Sequence, residues 1–95
     1  MRYNLPVYYD NLPRHEKRLV REQYIKEQKG KCYHCGSDLS GEPSKKVASK
    51  KLNMKLFPKG FLNYPVHLHH DHNTGLTIGA VHAHCNGVLW QYHGE

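Results

Sequence analysis

Apolar residues recur at helical spacing early in the chain and at strand spacing late in it, and this change of period marks out the elements. Leu19, Val20, Tyr24 and Ile25 share one side of a 3.6-residue period. Pro13 suits a first helical position, with Asn11 or Leu12 at the cap, and Gly30 falls where a helix stops, so a helix is predicted over about 13–29. Val66–His70 and residues 77–81 read as two strands joined by a turn that contains Asn73 and Gly75. A metal knuckle and a short helix follow, running to Tyr92, with Leu89, Trp90 and Tyr92 as core. Residues 37–65, interrupted by Pro43, Pro58 and Pro65, read as loop with one short helix at 50–55. The pattern assigns no role to the aromatic, proline-containing arm at 1–12.

Composition adds a constraint. A chain of 95 residues with 38% hydrophobic content holds one domain whose core alone is thin, which calls for a staple. Three cysteines cannot all pair within one chain, and no apolar run approaches the ~18 residues of a membrane span. Without a secretory pattern at the amino terminus, a soluble, reducing, cytoplasmic setting away from membranes is expected, with the thiols as metal ligands.

Cys32 and Cys35 are separated by two residues, as are His82 and Cys85. Two such turns can converge on one tetrahedral ion, and thiolate with imidazole suits a structural zinc. His84 is the alternative fourth ligand, and His34 lies inside the first knuckle as a surface residue. Gly36 supplies the backbone freedom a knuckle needs.

Charge points to a polyanion. The net charge is +6, and between Glu42 and Asp71 there is no acidic residue while Lys45, Lys46, Lys50, Lys51, Lys55 and Lys59 all occur. We read these lysines as DNA-phosphate contacts. The basic residues of the first helix, Arg14, Lys17, Arg18, Arg21 and Lys26, read first as a solvated face and second as a side turned to DNA.

The lysine-rich stretch leads into His69-His70-Asp71-His72, and Asn86 follows Cys85. Hydrolysing a phosphodiester needs a deprotonated water and positive charge where the leaving oxygen gathers negative charge. Here His69 would hold a divalent ion, His70 would take the proton of the attacking water, and Asn86 would add a neutral oxygen ligand. His67 reads as part of a polar strand face, Asp71 as a turn residue, and His72 as either a phosphate contact or support for the hairpin.

The segments C-Y-H-C, L-H-H-D-H-N-T-G and H-A-H-C-N-G together resemble the HNH, or ββα-metal, nucleases, closest to the phage recombination endonuclease VII branch. The resemblance covers 32–92. It implies an α+β fold, a small zinc-stapled ββα-metal domain with an N-terminal helix. The arm and basic helix would occupy 1–31 and the nuclease core 32–95, including a lysine-rich insertion at about 43–65. By position, the family's metal-binding Asp falls on His69, its general base on His70, its second His on His72 and its metal-binding Asn on Asn86. His69 in place of Asp shifts the preferred catalytic ion toward nickel, manganese or zinc without excluding magnesium. His82 stands where the family has a cysteine, Ile78 where it often has an Arg, and the middle Asn has only Thr77 or Asn73 as counterpart. The expected function is a metal-dependent DNA endonuclease leaving 5′-phosphate and 3′-hydroxyl ends, in a bacterial host cell with phage or prophage origin. It would act as a homodimer or beside phage packaging or recombination proteins. The rival is a non-catalytic zinc-ribbon module that binds nucleic acid.

Overall fold

The computed structural model describes residues 3–93, so the first and last two positions of the two predicted segments lie outside it. It is a small α+β fold. Helix α1 (Arg14–Glu27) is followed by a one-turn helix α2 (Lys45–Ala48), strand β1 (Val66–His70), strand β2 (Thr77–His82) and helix α3 (Ala83–His93). Pro13 is the cap of α1 rather than its first residue: its ψ of 162° is extended, and the missing N–H costs nothing there. Val20 and Tyr24 turn inward from α1 and bury, while Leu19 stays half-exposed.

β1 and β2 form an antiparallel pair whose register slips between His69 and His70, leaving Ile78 as an extra residue on β2. The arm that the hydrophobic pattern left unassigned lies along the far edge of β2. The Val7 carbonyl accepts from the Thr77 N–H at 2.8 Å, and the Tyr9 N–H donates to the Gly75 carbonyl at 2.8 Å. Farther along that edge, the Gln28 side chain bonds both backbone groups of Ala80, each at 2.9 Å.

The short helix expected at 50–55 is displaced. Residues 45–48 form it, a 3-10 turn takes 54–56, and the rest of the stretch packs on α3. His84 explains the anchoring: its Nε2 lies 3.1 Å from the Val47 carbonyl and 2.9 Å from that of Lys50. Trp90 and Tyr92 are not core. Trp90 is 41% exposed and packs on Phe57, and the Tyr92 hydroxyl donates to the Lys51 carbonyl. α3 is only 11 residues long and spends its inward face on Cys85, Val88 and Leu89. Its outer face is therefore left to the segment that folds over it. Among the described residues, no helix is long and apolar enough to cross a membrane.

Candidate metal centre and histidine pocket

The core is small enough that two of its members are metal-ligand types: Cys32 is 3% exposed and Cys85 fully buried. Three local features bring the ligand set together. Gly36 adopts φ +78°, closing the first knuckle, and the Tyr33 N–H donates to the Ala80 carbonyl, tying that knuckle to β2. Gly79 permits this approach, since a Cβ there would lie 2.8 Å from Gln28 Oε1 and 3.1 Å from the Tyr33 side chain. The second knuckle needs no loop, because β2 runs directly into α3 at His82.

The donor atoms of Cys32, Cys35, His82 and Cys85 all lie within 4.8 Å of one another. His82 Nδ1 is 3.4 Å from Cys35 Sγ and 3.7 Å from Cys85 Sγ. Zinc bonds of ~2.3 Å to sulfur and ~2.05 Å to nitrogen set a tetrahedral S···N edge near ~3.5 Å, between those two distances. His82 Nε2 donates to the Asp38 carbonyl at 2.8 Å, which leaves the Nδ1 lone pair to face the sulfurs. The group could thus hold a structural metal such as zinc, and His84 belongs to the α2 anchor instead.

The thiols' protons tell the same story. A hydrogen bond from Cys85 holds the Cys32 thiol down to about 4, while that contact and burial push Cys85 up. Cys35 lies below its ordinary value despite its burial, because backbone hydrogen bonds with Ser44 and Ser37 favour the thiolate. Burial opposes charge on His82, but the Asp38 carbonyl and the Cys32 sulfur outweigh it and raise its pKa. Binding a cation would let this donor set become fully deprotonated together.

The second site draws on the end of β1, the turn after it, α3 and the stretch before β1. A pocket of about 350 Å³ is lined by His69, His70, His72 and Asn86 on its polar side and by Leu56, Phe57, Phe61 and Trp90 on its apolar side. Adjacent strand residues ordinarily point to opposite faces, yet His69 and His70 both reach it. The register slip lies between them, and such bulges sharpen twist and re-aim side chains. His69 is 2% exposed, and its Nδ1 lies 3.2 Å from Asn86 Oδ1. That separation suits two neighbouring ligands of one ion with ~2.1 Å bonds, whose edge is roughly 3.0 to 3.4 Å.

His67 has a place here that its position on a polar strand face did not announce. Asn86 Nδ2 donates to His67 Nδ1 at 3.1 Å, which fixes the amide with its oxygen toward His69. Burial holds His67 below its ordinary pKa, so it is the neutral acceptor this bond requires. The signal was its spacing: His67 and His69 alternate on one strand face, the side on which Asn86 sits.

His70 stacks on Tyr9, with ring centroids 3.9 Å apart and planes within 6°, and its other neighbour His72 is 4.6 Å away. Burial first, then the charge of His72, lower its pKa, keeping the imidazole unprotonated at neutral pH. Asp71 accepts from the N–H groups of Asn73 and Thr74 and shapes the turn. Thr77 is committed to Val7 and Tyr24, and Asn73 is exposed in the turn.

The six lysines fare differently: none lines the histidine pocket. All but Lys50 are exposed, and Lys50 holds its ammonium 5.0 Å from the centre of the Tyr92 ring. The lysine-rich stretch instead gives the pocket its apolar wall, through Leu56, Phe57, Pro58 and Phe61. No family model matches the chain, and neither a curated protein nor a solved structure matches it.

Proposed function

We propose that the protein is a metal-dependent DNA endonuclease of the HNH, ββα-metal kind, hydrolysing phosphodiester bonds with one divalent ion and a histidine base. The observation that carries this reading is the convergence of His69 Nδ1 and Asn86 Oδ1, 3.2 Å apart, in the same pocket as His70. Two protein ligands leave most positions of a hard or borderline cation open to phosphate oxygen and water. Magnesium, manganese, nickel or zinc held by His69 and Asn86 would supply positive charge to the phosphate and to the departing 3′ oxygen.

The chain's own residues do the rest. His70 is neutral and held by its stack on Tyr9, so it can take a proton from water as that water attacks phosphorus. His72 is close enough to His70 to share that work or to donate to a phosphate oxygen. The Phe57, Phe61 and Trp90 wall keeps one side of the pocket poor in water, strengthening the electrostatics opposite it. The Cys3His group, whose His82 ends β2 and whose Cys85 lies in the first turn of α3, anchors the turn that carries Asn86.

Incubating zinc-loaded protein with supercoiled plasmid and a panel of divalent ions tests the reading. Nicked or linear product with at least one of manganese, nickel, magnesium or zinc, abolished in His70→Ala, is expected. Intact plasmid under every ion would leave a zinc-ribbon module that binds nucleic acid without cutting it. Homodimerisation and a role beside phage packaging or recombination proteins belong to the same proposal, and sedimentation with and without DNA addresses the first.

A further inference from the structure

A second concavity, of about 610 Å³, runs along the N-terminal half of α1. Arg14, Lys17, Arg18 and Arg21 line it together with Tyr9 and Tyr64, and no carboxylate does. The four cations sit at i, i+3, i+4 and i+7, one stripe of the helix. Among the described residues, Arg14, Arg18 and Arg21 make no hydrogen bond or ion pair with the rest of the protein. Lys17 lies 4.1 Å above the Tyr9 ring.

Gathering such charges without a carboxylate is unfavourable until an anion arrives, and guanidinium forks are shaped for phosphate oxygens. The stripe spans about 10 Å, the rise of roughly three nucleotides of one DNA strand. Tyr64, 63% exposed, offers a flat face to sugar or base, while the Tyr9 ring is held between His70 and Lys17 and presents its edge. The cleft also leads somewhere: its Tyr9 wall is the ring stacked on His70.

We infer that this cleft is the DNA-backbone groove, seating the strand on α1 and passing its phosphodiester across Tyr9 to His69 and His70. The inference rests on the nuclease reading for what happens at the histidines, and not for the binding itself. It reassigns the main phosphate contacts from the lysine-rich stretch to α1. Arg14, Arg18 and Arg21 hold the backbone, Lys17 secures Tyr9, and the exposed lysines add a weaker, diffuse attraction.

Fluorescence anisotropy with a labelled DNA duplex, using zinc-loaded full chain without added divalent ion, measures binding apart from cutting. Arg14→Gln/Arg18→Gln/Arg21→Gln should lower the slope of log affinity against log salt by about 2 to 3, at ~0.9 per phosphate contact. Lys45→Gln/Lys46→Gln/Lys50→Gln/Lys51→Gln should lower it by less, although it removes more charge. An unchanged slope in the arginine variant, a larger loss in the lysine variant, or equal binding of wild type to phosphatidylserine vesicles would each overturn the assignment. Zinc content and Tm certify the variants' fold. Should the arginine variant fail to fold, photo-cross-linking of bromodeoxyuridine duplex to wild type decides: adducts at Tyr9 or Tyr64 are expected, and adducts confined to 45–59 refute the groove. Plasmid left intact under every ion sinks the nuclease reading while leaving the groove standing, and loss of the groove leaves the cleavage chemistry untouched.

Discussion

The Cys3His group and the histidine pocket of this protein differ in how completely the fold closes around them. Around Cys32, Cys35, His82 and Cys85, every donor turns inward, and His82 is oriented by the Asp38 carbonyl behind it. Around His69 and Asn86, two donors meet in the wall of an open pocket, and their supporting bond, from Asn86 to His67, settles which atom faces the site. A closed four-donor set stores metal-binding free energy as folding free energy, whereas an open pair leaves room for substrate. Both sites share α3, since Cys85 and Asn86 are consecutive in its first turn. The stable site thereby holds the open one in place.

The largest effect expected is loss of the closed site. Removing zinc with a chelator, or Cys85→Ala, should abolish the cooperative unfolding transition. A structural zinc contributes on the order of 10 kcal/mol, as much as a domain's whole stability of roughly 5 to 15. Calorimetry showing an unshifted transition would erase the distinction between the sites.

His70→Ala should act the opposite way. A rate loss of about 10² to 10⁴ is expected in the plasmid assay. Zinc content should hold, and Tm should drop by no more than ~8 °C for the lost Tyr9 stack. Cleavage at the parental rate would remove His70 from the mechanism.

His67→Ala sharpens the comparison, because His67 reaches the His69–Asn86 pair through Asn86 while its ring packs edge-on against Phe61 of the pocket wall. Affinity for manganese or nickel, titrated on zinc-loaded protein, should weaken by about 10- to 100-fold. If it matches wild type, Asn86 needs no orienting partner. The smallest effect is reserved for the pocket's wall. Phe57→Ala should cost about 1 kcal/mol in denaturant unfolding, through lost packing on Phe61 and Trp90, and leave zinc binding unchanged. Zinc loss in that variant would mean that the two regions are not independent.

What was legible in the chain was what is local. The doubled two-residue spacing of Cys32, Cys35, His82 and Cys85 names its own group, and the change of period locates α1, β1 and β2 to within a residue or two. Features that join distant parts of the chain stayed hidden. His84 pinning carbonyls 34 and 37 residues away, Val7 pairing with Thr77, and Tyr9 reaching His70 leave no trace in periodicity. The lysines at 45–59 stand out in the sequence as a charge run, whereas cations that share a concavity become visible only in three dimensions. That grouping comes from the helical stripe of α1, which read first as a solvated face.

The Gln28 amide on Ala80 bears on how this protein behaves at high concentration. A two-stranded ribbon offers unpaired N–H and carbonyl groups to any passing strand, the usual start of edge-to-edge aggregation. Along β2 that opportunity is taken up within the chain: Val7 and Tyr9 occupy one end, and Gln28 with the Tyr33 N–H occupies Ala80. A second copy therefore finds these backbone groups of β2 already paired, and a strand arriving at this edge has to displace the arm or the Gln28 amide first.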